Sequence, residues 1–195
     1  AIYSSIEALR LFKITQFYPL IYSTVVAIIK NSLHESEEAA KKFIDLISLL
    51  EKYHFINNMI CERIGNEIEK PYAEFASKFY SGDFFNVCSD VEKFIKKTKA
   101  PESEFAPRFT DTWYTLPDTI PQLMYIFDRF SNEGVSLENR IKLFNPEQLR
   151  KKNHNIEHFY PTKPSDDLQK KLSKPEYNDN IGNLMAISLR VNSKL

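Results

Sequence analysis

Near one end of this 195-residue chain a carboxylate and an imidazole stand side by side as Glu157-His158, with Pro161 three residues after the histidine. Asn180-Ile181-Gly182-Asn183-Leu184 follows, and Asn192 stands nine residues after Asn183. These residue types suit hydrolysis of a phosphodiester. That reaction needs a base to take a proton from water, a Lewis acid on the phosphoryl and leaving oxygens, and a group that orients the base. A neutral imidazole titrates near working pH, so His158 can be the base. Glu157 and Asn192 offer a carboxylate and an amide oxygen, hard ligands suited to Mg²⁺ (or Mn²⁺). Mg²⁺ keeps several waters and commonly takes one or two protein groups. Asn183 can pin the histidine ring or the turn above it. His154, the other histidine of this region, reads as a surface or phosphate-contacting residue.

Two short strands must position these groups. Asn153 to Tyr160 reads as one, and Asn183 to Ser188 as the other. Between them Thr162 to Asp179, rich in Pro, Asp and Lys, is far too long for a tight hairpin turn. Adjacent residues on a regular strand point to opposite faces. Glu157 and His158 can therefore share a site only if the strand ends, bends or bulges there. Pro161, which cannot donate to a ladder, fits such an ending.

The preceding two thirds read as helices. Phe43, Leu46, Ile47 and Leu50 fall at helical spacing behind Ser36 as an N-cap, with Glu37 and Glu38 in the first turn. Ile56, Ile60, Ile64 and Ile68 predict a second stripe up to Pro71, continued by Tyr72, Phe75 and Phe79 to Gly82. Ser89 and Glu92 read as a capping box before Val91, Phe94 and Ile95, in a helix that ends before Pro101. Residues 20–29 are β-branched, but their neighbours favour a buried helix. Pro121 suits the first turn of a helix that stops before Gly134. Residues 100–117, around Trp113 and Tyr114, are expected to form an irregular connection. The aromatic stripes are read as core, and His34 and His54 as ordinary surface or core residues.

Composition narrows the classes further. Only four glycines occur, which argues against Rossmann and P-loop folds and against a many-turned β-sandwich. Cys61 and Cys88 cannot form a four-thiolate zinc site, and they suit free thiols in a reducing cytoplasm. The most apolar stretch, Pro19 to Ile29, is about half the ~20 residues a spanning helix needs, so no membrane partner is expected. The chain opens on Ala1 and its last motif reaches Leu195, which reads as a piece of something longer.

Charge is uneven within a formally neutral chain. Residues 1–139 carry 15 Lys+Arg against 20 Asp+Glu, a net of −5, while residues 140–195 carry 11 against 6, a net of +5. A basic end on an acidic body points mildly to a polyanion at that end. These shifts divide the chain into a helical domain, 1–139, and a basic unit, 140–195.

Taken together, Glu157-His158, Pro161, Asn183 and Asn192 resemble the ββα-metal motif of HNH (His-Me finger) endonucleases, in its asparagine-ended branch. More narrowly, NIEHFYPTK followed by NDNIGNLMAISLRVNSKL is similar to the C-terminal nuclease region of GmrSD-type, modification-dependent restriction proteins. The helices from about Phe17 onward look like the segment preceding that region. The resemblance implies a mainly α chain ending in an HNH-like ββα-metal unit, truncated at its C-terminus. It implies metal-dependent cleavage of DNA, base-modified DNA included, in a phage-defence setting. His158 would be the general base, Glu157 and Asn192 the metal ligands, and Asn183 the central structural residue. Lys151, Lys152, Lys163, Lys170, Lys171 and Lys174 would hold the phosphate backbone. Family members also carry an N-terminal nucleotide-binding domain with a DGQQR-type motif, a run this chain lacks. Two other readings stay open: an inert helical interaction module with a nuclease-like end, and an RNA-cleaving enzyme with the same site.

Overall fold

The computed structural model describes residues 2–112, 119–144, 153–170 and 177–192. It is mainly helical, with one small two-stranded sheet near the C-terminus. Packing divides it into two compact units, Ala1–Ala106 and Pro107–Leu195.

The first unit is built from α1 (Ile2–Leu11), α2 (Tyr18–Lys30), α3 (Glu37–His54), α4 (Asn66–Ser81) and α5 (Phe84–Thr98). α3 starts where its sequence says: the Ser36 hydroxyl accepts from the Ala39 N–H at 3.2 Å, with Glu37 and Glu38 at the positive end of the helix dipole. The stretch over residues 20–29 is helical, as its neighbours predict. α2 packs on α4 and α1 on α3, which encloses Leu9, Phe17, Leu20, Leu50, Tyr72 and Phe79 in one apolar cluster. Each such side chain contributes about 1.5–3 kcal/mol on leaving water. The aromatic residues are not all core, since Tyr3, Tyr22 and Tyr80 are exposed. Both cysteines are buried thiols and are not joined in a disulfide. Among the described residues no helix is long and apolar enough to cross a membrane.

Three expectations are corrected. The isoleucine stripe at 56–68 is not one helix: α3 passes into a π-turn at Phe55–Ile60, the chain leaves helix at Cys61, and Ile64 lies exposed. Asparagine side chains divert the backbone there. Asn57 donates to the Thr98 carbonyl and accepts from Ala100 N–H, while Asn58 donates to the Arg63 carbonyl. Pro71 consequently sits inside α4 instead of bounding a helix. Ser89 and Glu92 form no capping box. α5 starts earlier, where Asp83 accepts from Asn86 N–H at 2.8 Å; Ser89 donates to the Phe85 carbonyl, and Glu92 pairs with Lys42. Finally, the expected irregular connection holds a helix, α6 (Glu102–Thr110), with the remainder at 113–118 outside the described residues.

His54 is a core histidine. Its Nδ1–H donates to Asn58 Oδ1 at 2.6 Å, and its Nε2 accepts from the Tyr72 hydroxyl at 3.0 Å, so the neutral ring is fully satisfied. Burial pushes its pKa down to about 4, against a smaller opposing effect of Asn58. The folded value lies below the unfolded one, so the unfolded chain binds the extra proton first. This contribution is intact above the ordinary imidazole pKa of about 6.5 and is lost as pH falls toward 4. Urea unfolding monitored on the helical signal should lose about 3 kcal/mol between pH 7 and pH 4 from this group alone. A His54→Gln variant should show a correspondingly shallower acid limb.

The second unit takes in the end of α6, α7 (Ile120–Ser131), β1 (His154–His158), α8 (Asp166–Gln169), β2 (Leu184–Ser188) and α9 (Leu189–Asn192). Pro121 stands in the first turn of α7, and Gly134 takes the left-handed φ of +70° just beyond its end. The units separate inside α6 at Pro107, whereas charge and hydrophobic pattern draw the division at 139/140. The reason lies in α7, whose composition matches the helices before it but which packs on β1 and β2. Buried Asp128 also fastens the following segment to it, accepting from the N–H groups of Leu143 (2.8 Å) and Phe144 (3.1 Å). Asn132 adds a two-way bond to Ile141.

Candidate nuclease site

β1 and β2 pair antiparallel in unbroken register, from His154 opposite Ser188 to Glu157 opposite Met185 and His158 opposite Leu184. Alternation puts His154, Ile156 and His158 on one face of the ribbon, and Asn155 and Glu157 on the other. The strand runs regularly through both residues and ends at His158, without a bulge, before a bend at Phe159 and Tyr160, so the ladder itself leaves Glu157 and His158 on opposite faces. α9 begins directly after β2 and packs on both strands, while the short α8 lies between β1 and β2 in the chain.

The turn beyond His158 is built by Asn183. This residue closes the 3-10 turn Ile181–Asn183 just ahead of β2, one position short of the strand in which its sequence places it. Its carbonyl accepts from Phe159 N–H at 2.8 Å, and its Oδ1 accepts from Tyr160 N–H at 2.8 Å. Its amide donates to the Tyr160 carbonyl (3.1 Å) and the Asn178 carbonyl (2.7 Å). One side chain thus clamps the chain just after His158 to the chain just before β2. Of the two roles open to it, holding the ring or holding the turn, these bonds are those of the turn.

Asn180 fixes the other side of this turn, accepting from Gly182 N–H and donating to the Thr110 carbonyl at 2.7 Å. The clamped loop delivers Asp179, whose Oδ1 lies 2.7 Å from His158 Nε2. Asp179 is half exposed, and the histidine side chain only 15 % exposed. An ionised carboxylate only accepts, so this contact requires the proton to be on Nε2. Motif spacing does not point to Asp179, which stands 21 residues from His158 at the far end of the long connection.

The remaining candidates are more scattered. His154 is half buried instead of lying on the surface, and among the described residues its Nδ1 and the Tyr160 hydroxyl are enclosed without a hydrogen-bond partner. Glu157 is half buried on β1. Asn192 is the last residue of α9, and its side chain lies outside the described ones. Lys163 and Lys170 are exposed beside α8, whereas Lys151, Lys152, Lys171 and Lys174 lie outside the described residues. Among the described residues no cluster of three or more His, Cys, Asp or Glu is spaced to hold a metal ion. The first unit contains a cavity of about 150 Å³ lined by Tyr53, Asn57, Asn58, Arg63 and Thr98, but the side-chain amides of Asn57 and Asn58 are spent on backbone groups and on His54.

Residues 101–195 match the family model of the GmrSD restriction endonucleases, C-terminal domain. The match covers just under half of the chain and holds every candidate site residue, the ribbon and the clamp. It starts at 101, so the helices from Phe17 to the end of α5 lie outside it. No curated protein and no solved structure matches the chain. The C-terminal part is thereby similar to a restriction-endonuclease domain.

Proposed function

We propose that the C-terminal part is an HNH-like, metal-dependent nuclease unit, set within residues 140–195, that hydrolyses DNA phosphodiesters for a restriction system of the cytoplasm. One observation carries this reading: within the segment similar to a restriction-endonuclease domain, His158 ends a strand whose partner leads straight into a helix. His158 takes a proton from water as the water oxygen bonds to phosphorus. The bond from phosphorus to the 3′ oxygen breaks, and that oxygen leaves with the electron pair and gains a proton from solvent. The products are a 5′-phosphate and a 3′-hydroxyl. Glu157 and Asn192 would hold Mg²⁺ (or Mn²⁺), their hard oxygens fitting that ion, which when bound sets positive charge against the phosphoryl and leaving oxygens. Asn183 keeps the turn above the base in place.

Lys163 and Lys170, with Lys151, Lys152, Lys171 and Lys174, hold the backbone phosphates. Binding of this kind weakens steeply with salt and ignores sequence. Replacing Lys163 and Lys170 together by Ala should lower affinity for unrelated duplexes alike. It should also reduce the slope of log K against log salt by about 0.9 for each phosphate no longer neutralised. Selection of a modified base, and control by a nucleotide-binding domain, belong to other parts of the parent protein. A direct test compares duplex DNA with structured RNA, with Mg²⁺ present or chelated. Cleavage of DNA confined to the Mg²⁺ lanes is expected; cleavage of RNA in its place would reassign the substrate.

A further inference from the structure

We propose that Asp179 is a positioning residue for His158, holding its proton on Nε2 so that Nδ1 presents the lone pair that receives the proton of water. This deepens the nuclease reading and rests on it. A lone imidazole ring rotates about two side-chain bonds and exchanges between two tautomers, and only one combination of the two offers the right nitrogen to the right place. The 2.7 Å contact from Nε2 to Asp179 Oδ1 fixes both choices at once. The carboxylate itself is held in place through its neighbours. Asn178 on one side accepts from the Asn183 amide through its carbonyl and through its Oδ1 at 3.0 Å, and Asn180 on the other is tied to Thr110 and Gly182. Asn183 therefore serves the base indirectly, by setting the loop that carries the carboxylate. In the step itself, the proton of water goes to Nδ1 as the oxygen–phosphorus bond forms and the bond to the 3′ oxygen breaks, while the Nε2 proton stays on the ring and is never passed to Asp179.

The test joins kinetics to a readout that needs no activity. The chain has four histidines, so ¹⁵N labelling of histidine in the full chain gives four rings, with His158 assigned by its absence in His158→Ala. At alkaline pH the wild-type ring should carry its proton on Nε2, with that proton hydrogen-bonded to Asp179. In Asp179→Ala the hydrogen-bonded proton signal should be lost. Single-turnover cleavage of plasmid DNA with Mg²⁺ should fall about 100-fold, with DNA affinity and melting temperature unchanged. Asp179→Glu, which keeps the acceptor, should recover part of the rate. A proton found on Nδ1 in the wild type, or an undiminished rate in Asp179→Ala, overturns the assignment. Wild-type protein that shows the Nε2 proton and its loss in Asp179→Ala, yet cuts no DNA, overturns the nuclease reading while upholding the pairing.

Discussion

Replacing His158 by Ala should lower single-turnover cleavage by about 1,000-fold, the middle of the range for a positioned general base. Duplex affinity and melting temperature should stay as in the wild type. The separation of effects follows from where the ring sits. His158 is the last residue of β1, its backbone pairing opposite Leu184 survives truncation of the side chain, and the turn above it is fastened by Asn183 instead. On the proposed reading, DNA binding would rest on the lysines, Lys163 and Lys170 among them, and metal retention on Glu157 and Asn192. No described residue takes the place of the lost imidazole: His154 lies at the opposite end of the same strand. A variant that lost DNA affinity along with rate would show that His158 grips substrate and does not activate water. Stopped cleavage reactions with enzyme in excess, paired with filter binding in EDTA, separate the two.

The second large effect should come from Asn183→Ala, and it should differ in kind. That substitution leaves Tyr160 N–H without its acceptor and frees the carbonyls of Tyr160 and Asn178. A half-buried backbone N–H losing its partner costs about 1–3 kcal/mol, and the amide held three acceptors besides. The expected outcome is a loss of about 3 kcal/mol in stability of the second unit together with cleavage reduced as far as in His158→Ala. Asn183→Asp should be little better. It keeps the oxygen that accepts from Tyr160 but sets an anion where the Tyr160 and Asn178 oxygens expect a donor. Calorimetry of the full chain would show the change in the transition of the second unit. An unaltered melting profile in Asn183→Ala would mean that the clamp is not what holds the turn.

How much of this is legible in the sequence depends on the range over which each feature is determined. The strand pair is readable because its bounds are local: Pro161 stands three residues after His158 and cannot continue a ladder. The start of α3 is readable because the Ser36 cap reaches only to Ala39. The break after α3 is not. Asn57 takes its partners at Thr98 and Ala100, 41 and 43 residues further on, and a helical stripe of isoleucines says nothing of them. The allegiance of α7 is hidden for a related reason. An apolar helix face states that it will be covered, not by what; it is the Asp128 bonds to Leu143 and Phe144, with the Tyr125–Phe144 ring contact, that tie it to the segment leading to the ribbon. Within the site, the resemblance singles out His158, Glu157, Asn183 and Asn192 by spacing. Asp179 cannot be found that way, because it reaches the ring through a loop whose course is set by Asn183 and Asn180 together.

Nicking of supercoiled plasmid is the most direct test of the central claim. The full chain is incubated with plasmid and Mg²⁺ or Mn²⁺, beside an EDTA lane and a His158→Ala lane prepared in the same way. The account predicts nicked and linear DNA with 5′-phosphate ends in the metal lanes, and intact supercoiled DNA in the other two. Nicking that persists in EDTA or in His158→Ala, or plasmid that stays intact with wild-type protein and metal, would contradict it.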